Sequence, residues 1–481
     1  MTIKVDEEID MNIDFIKKLY KSRLVKSGIW FTVGTFFIQG ISFITMPIFT
    51  RMLGTTGFGI VTVYTTWLSV FTTILTLGLL ASVNNAKVDF KERYDEFASS
   101  ILFLATIFAV IWIIIGFIFK KQIGYMINLN SILVMFLIIQ SFFGFIVDFS
   151  NAKLNAEYKY KKYLFISISS AILNTILAII LISNFKTDKY YGRVGSLLIV
   201  ALLYGTVLYV IAMRKSKKLI NFEYWKYALV ISIPAIVHLL SGVILQSVDT
   251  VMINSMIGAS AAGIYGFAYK IGMIMYIVWL ACNKAWVPWF YENMKEKNHK
   301  DVEQKIKYYI MLFTVMGFVL IFISPEIGKI MGTKDFYKGL DYVPLIMVGY
   351  YFQFLYSIPA NLEFYTKNTK YLSLGTLIAA LTNIVLNYIL IPRYGAVTAA
   401  WTTIISYILL FLYHYFISLH MYEVRIYTFK PFAYGILCIV LSSTIFFIVK
   451  NNWILRYGIL IATLLILGYK IKEINKRFMQ K

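Results

Sequence analysis

What most constrains this chain is a succession of fourteen apolar runs, because crossing about 30 Å of hydrocarbon as a helix takes about 20 residues. The runs cover roughly 27–50, 57–83, 98–119, 127–149, 163–184, 193–213, 226–253, 260–286, 306–327, 341–363, 371–391, 395–419, 430–449 and 453–470 of 481 residues. Soluble domains are about half apolar and a quarter charged. Here 59% of residues are hydrophobic, 15% are charged and the mean hydropathy is +0.71. In lipid each segment must satisfy its own backbone polar groups, so runs of this length are helices. The expected fold is all-α, a polytopic membrane protein with 14 transmembrane helices.

Orientation follows from the basic residues, since Lys and Arg collect in short cytoplasmic loops. With the N-terminus inside, 33 of the 46 Lys and Arg fall on that side and 11 on the other. The last two, Lys270 and Arg456, lie within runs. Both termini are therefore expected in the cytoplasm. The net charge of +22 then reports topology and contact with anionic lipid, and no nucleic-acid partner is expected. The first 26 residues carry Asp6, Glu7, Glu8 and Asp10, then Lys17, Lys18, Lys21, Arg23 and Lys26, without an early apolar core. That is not a cleavable signal peptide. Phe15 to Val25 has the spacing of an amphipathic helix lying in the plane of the cytoplasmic face.

Loops are short. The largest, about Pro288 to Lys305, has no room for a catalytic domain, and the chain holds no Walker-type or other nucleotide-binding signature. Transport driven by ATP within this chain is excluded on that reading. Cys282 and Cys438 sit inside apolar runs and His238, His299, His414 and His420 are scattered. No disulfide framework, no metal site and no cofactor is expected.

The chain repeats. Leu53-Gly54 and Gly59-Ile60 match Ile257-Gly258 and Gly263-Ile264 at an offset of 204. Asn174, Leu177, Leu181 and Ile182 match Asn383, Leu386, Leu390 and Ile391 at an offset of 209. Two six-span bundles plus two extra spans account for this, related by an axis along the membrane normal with a substrate path between them. The expected division is 1–26, an amphipathic segment; 27–213, a first lobe; 214–225, a basic linker; 226–419, a second lobe; and 420–481, two peripheral helices with a basic tail.

Polar residues recur at helical spacing. Thr32, Thr35, Gln39 and Ser42 share one face of the first run; Thr62, Thr65, Ser69, Thr72 and Thr76 share one face of the second. Such hydroxyls either permit close helix packing and bond back to their own helix, or line a wet cavity. The repeat maps Ser42 onto Gln246 and Thr45 onto Asp249, which extends the second reading to the seventh run. Ionisable residues point further, because a charge in the bilayer costs at least about 2.5–3.5 kcal/mol. Lys270 stands about ten residues into the eighth run, roughly 15 Å deep, with Gly263 and Gly266 on its face. Asp249, near the outer end of the seventh run, is the nearest acid in sequence. Their pair is either a static clamp or one that opens when an anionic substrate competes for Lys270. His238, beyond the Pro234 kink, serves packing or proton relay. Asp148 and Glu363 close the fourth and tenth runs at matching positions, where interfacial solvation accounts for both. Pro47 and Pro359 mark kinks, and Asn383 and Asn387 line a cavity or join helices.

Pro234, Ser241-Gly242, Ser247-Val248-Asp249, Gly258, Gly263-Ile264-Tyr265, Tyr269-Lys270 and Trp286-Val287-Pro288 together resemble the seventh and eighth spans of bacterial polysaccharide flippases. These belong to the multidrug/oligosaccharidyl-lipid/polysaccharide exporter superfamily. Phe49-Thr50-Arg51, Leu53-Gly54 and Phe58-Gly59 are similar to that family's first turn. The resemblance implies two six-helix lobes around a V-shaped central cavity, two peripheral helices, and alternating-access translocation of an undecaprenyl-diphosphate-linked oligosaccharide to the outer leaflet. The residues fit that chemistry, with Lys270 the expected phosphate partner and Thr35, Gln39, Ser42, Thr65, Ser69, Thr72, Gln246, Tyr269 and Asn383 the expected substrate-contacting residues. Asp249 and His238 are the expected counter-charge and coupling groups for H+ or Na+. Other polysaccharide assembly proteins are expected partners in the bacterial inner membrane.

Two rivals stand beside this. A multidrug cation antiporter of the same superfamily calls for acids in the cavity and is poorly served by Lys270. A membrane polysaccharide polymerase calls for a large external loop with charged catalytic residues, which this chain lacks.

Overall fold

The computed structural model describes residues 23–367, 369–421 and 426–479. The expected in-plane segment lies outside the described residues as far as residue 22. Every described regular element is a helix: α1 Arg23–Leu75, α2 Val83–Phe90, α3 Tyr94–Ile127, α4 Ser131–Ala156, α5 Tyr160–Asn184, α6 Tyr190–Lys215, α7 Phe222–Met256, α8 Ala259–Lys295, α9 His299–Met331, α10 Val343–Tyr365, α11 Thr369–Tyr394, α12 Val397–Met421, α13 Lys430–Val449 and α14 Trp453–Met479, with short 3-10 turns between some of them. Among the described residues, twelve stretches are long and apolar enough to cross a membrane, and Trp453–Tyr469 is apolar but shorter.

The first stretch, Trp30–Leu75, has 46 residues, about twice what one crossing needs. It breaks at Gly54, where φ is 64° and ψ −177°, between the runs at 27–50 and 57–83. Only glycine takes that conformation without strain. Gly258, its partner in the repeat, also has positive φ, at 129°. The two turns meet: Thr55 and Ser260 share a hydrogen bond of 2.8 Å.

Two compact units divide the chain, residues 1–260 and 261–481. The basic stretch 214–225 precedes α7, and side chains at the start of α7 tie that helix to the first unit. Tyr224 is buried in an aromatic cluster with Phe97, Phe145 and Phe149, and its hydroxyl donates to Glu96 at 3.1 Å. Trp225 Nε1 donates to Ser100 Oγ at 2.9 Å, and Ser100 Oγ to the Leu219 carbonyl at 3.1 Å. Ion pairs surround the cluster, Lys153 with Asp95 and Lys218 with Glu96. Exposed pairs are worth about 0–1 kcal/mol each, against about 1.5–3 kcal/mol for a Phe side chain removed from water. The rings therefore hold α7 to the first unit. Within apolar spans lipid is as greasy as leucine, so helices associate by close approach. A Cβ on Gly192 of α6 would lie 2.6 Å from the Ile182 backbone nitrogen of α5, which only glycine allows.

In the second unit α10 is the central helix, with 94% of its apolar window buried, and α9, α11, α12 and α13 pack around it. Its polar side chains tie it to those neighbours. Tyr351 shares a 2.7 Å hydrogen bond with Thr314 of α9, and Trp279 of α8 donates to Ser357 at 3.1 Å. Phe313 and Phe354 stack with centroids 4.2 Å apart. At the edge of the unit, Arg456 of α14 forms a bidentate pair with Glu326 of α9 and donates to the Phe322 carbonyl at 2.6 Å. This fork engages both terminal nitrogens of a guanidinium buried on the shorter apolar helix.

Candidate functional site

The hydroxyl stripes of α1 bond largely to their own helix. Thr35 donates to the Phe31 carbonyl at 2.9 Å, Thr65 to Thr62 at 2.9 Å, Ser69 to Thr65 at 3.3 Å, and Thr76 to the carbonyl of Thr72 at 2.7 Å. Back-bonding of this kind uses the one donor of each hydroxyl and leaves its lone pairs. These faces can therefore accept further hydrogen bonds without any change in the helix. Ser42 and Ser69 are exposed, while Thr35, Gln39, Thr65 and Thr72 are half-buried. Behind them Tyr64 donates to Gln140 of α4 at 2.7 Å in a sealed contact.

On α7, Asp249 is buried to 2% exposure, with Thr250 and Ser241 also buried. Gln246 is half-buried and His238 exposed. Lys270 of α8 is exposed, and so is Lys284 four turns later on the same side. Gly263 and Gly266 share that face and are buried, so the face is closed by packing at that end. Tyr269, half-buried, joins a column of rings, 6.1 Å from Tyr265 and 5.5 Å from Tyr350, which itself lies 5.7 Å from Tyr276. Asp249 and Lys270 belong to different units.

The repeat carries a polar link between consecutive helices in each unit. On α11, Asn383 and Asn387 are completely buried. Asn387 donates to Asn383 at 3.1 Å, Asn383 to Thr403 of α12 at 3.3 Å, and Thr402 to Asn387. In the first unit Asn174 of α5 accepts from Arg193 of α6 and from Ser196 at 3.4 Å, while Arg193 lies over the Phe49 ring at 4.4 Å. The offset of 209 that equates Asn174 with Asn383 also equates Arg193 with Thr402. Both Asn383 amide groups are engaged within the protein, so the structure places this residue in a helix seam.

One pair escaped the reading of composition and spacing. Glu363 of α10, expected to meet solvent, has no exposed surface, and neither has His414 of α12. The Nδ1 of His414 lies 2.7 Å from Glu363 Oε1. The available signal was an acid and a histidine standing alone in nearby runs, each in need of a partner of opposite character.

The fold defines the class, a polytopic all-helical membrane protein. The structure titled lipid II flippase MurJ, inward closed conformation, superposes with a TM-score of 0.74 at 19% identity, covering 92% of this chain and 99% of that one. An inward-facing multidrug resistance MATE family transporter of the MOP superfamily gives a TM-score of 0.64 at 14% identity, over 80% and 95%. The MatE family matches residues 234–389. The polysaccharide biosynthesis protein family matches residues 24–294, more than half of the sequence, and the chain belongs to that family. A Haemophilus influenzae protein described as Lsg locus putative protein 1 is 24% identical over 364 residues, 73% of this chain and 87% of its own.

Proposed function

We propose that this protein is a flippase carrying undecaprenyl-diphosphate-linked oligosaccharide repeat units from the cytoplasmic to the outer leaflet by alternating access, in coupling with H+ or Na+. It acts in the bacterial inner membrane with both termini in the cytoplasm, and serves O-antigen, capsule or another surface polysaccharide. Membership of the polysaccharide biosynthesis protein family supports the pathway. The observation that carries the substrate class is Lys270, an exposed cation twelve residues into a span-length helix of 37. An ammonium there suits a pyrophosphate and repels the cations an antiporter of drugs would carry. The chemistry divides simply. Lys270 pairs with the phosphates, and Thr35, Gln39, Ser42, Thr65, Ser69, Thr72, Gln246 and Tyr269 meet the sugars. Asp249 and His238 supply counter-charge.

Lys270→Ala and Lys270→Gln, at wild-type membrane abundance in a deletion strain, should abolish surface polysaccharide on immunoblots. Full complementation by both variants removes Lys270 from the mechanism, and with it the argument for a pyrophosphate.

A further inference from the structure

We infer that Glu363 and His414 form a proton-binding site whose loss of a proton opens the seam between α10 and α12. The pair is sealed on all sides: both side chains have no exposed surface, and the 2.7 Å contact joins helices 51 residues apart in sequence. Around it, among the described residues, the titratable groups set against the pair are tyrosines. Tyr356 of α10 stands 5.5 Å from the imidazole, ring to ring, and Tyr413 of α12 at 5.2 Å. Tyr427, between α12 and α13, donates to Ser418 of α12 at 2.5 Å, and Tyr371 stands on α11. From α11 the facing residue is Gly375, where a Cβ would lie 2.8 Å from His414 Nε2.

Glu363 Oε2 and His414 Nε2 have no hydrogen-bond partner among the described residues. A structural ion pair in a dry core needs those positions filled; this one leaves an acceptor and a ring nitrogen unengaged. One proton makes the pair neutral overall, as carboxylate with imidazolium or as carboxylic acid with imidazole, and a neutral pair is what a sealed site tolerates. When that proton leaves, a bare carboxylate remains beside a neutral ring, and only water can stabilise it. Deprotonation therefore requires the seam to hydrate, and hydration requires α10 and α12 to separate. The proposal deepens the flippase reading by giving it a coupling ion, and rests on that reading only for what the proton drives.

The test needs no substrate. Ser418, one turn beyond His414 on α12 and 3% exposed, is replaced by Cys in the full chain carrying Cys282→Ser and Cys438→Ser, in nanodiscs. Labelling by a water-soluble maleimide, corrected for thiolate with an exposed-cysteine control, should rise at least about tenfold from the acid to the alkaline end of the range in which the protein stays folded. Glu363→Gln keeps shape and neutrality, and should hold labelling low at every pH. Glu363→Gln with His414→Gln, a bonded pair of neutral amides, should behave the same and covers a failure of the single variant to fold. Labelling that is flat in the parent, still pH-dependent in both variants, or high at all pH in both overturns the proton site. None of these outcomes touches the Lys270 test.

Discussion

Asp148 on α4 and Glu363 on α10 stand near the same ends of matching helices, yet Asp148 is exposed and Glu363 has no exposed surface. The difference lies in the partner helix. His414, which binds Glu363, falls at an offset of 209 from Gly205 of α6. A Cβ on Gly205 would lie 2.8 Å from the Phe143 carbonyl oxygen of α4, so α6 and α4 are packed backbone to backbone with no space for a ring. One unit used that position for close approach, the other for a base. A repeat thus conserves where a helix runs while leaving the chemistry at each crossing free to diverge.

The comparison can be broken at four points. Removing the base should have the largest effect: His414→Ala leaves a buried carboxylate without its partner, a loss of roughly 3–5 kcal/mol before protonation recovers some of it, read as a lowered thermal unfolding midpoint in detergent. Gly205→Ala should follow, at about 1–3 kcal/mol from overpacking, measured in the same way; an unchanged midpoint would mean that α6 and α4 have slack there. The asparagine ladder comes next. Asn383→Ala should cost about 0.6 kcal/mol, and no more than about 1.7 kcal/mol, the range of hydrogen bonds between membrane helices. Asp148→Asn should move the midpoint least, by no more than about 0.5 kcal/mol; a shift as large as that of His414→Ala would erase the contrast between the units.

Much of the scaffold was legible because the signals are local. Apolar run length is a property of consecutive residues, and the glycines at 54 and 258 mark turns that no other residue takes easily. The stripe of Thr62, Thr65, Ser69 and Thr76 was legible as a face, but its direction was not, since the same spacing serves back-bonding and a wet wall alike. Charge at 214–225 marks a loop, but it does not say which helices the next one packs on, which Tyr224 and Trp225 decide by their contacts.

By itself the sequence determined that this is a helical membrane protein, with Lys270 a conspicuous cation inside an apolar run. Hydrophobic length, basic-loop bias and register are all readable within one segment or by comparing two. Tertiary structure alone decided which ionisable groups are sealed and which are open: Glu363 closed on His414, Arg456 forked onto Glu326, Asp148 and Lys270 left exposed. Burial belongs to the packing of helices far apart in the chain, and an acid at the end of a run reads the same whether the next helix brings a histidine or a glycine.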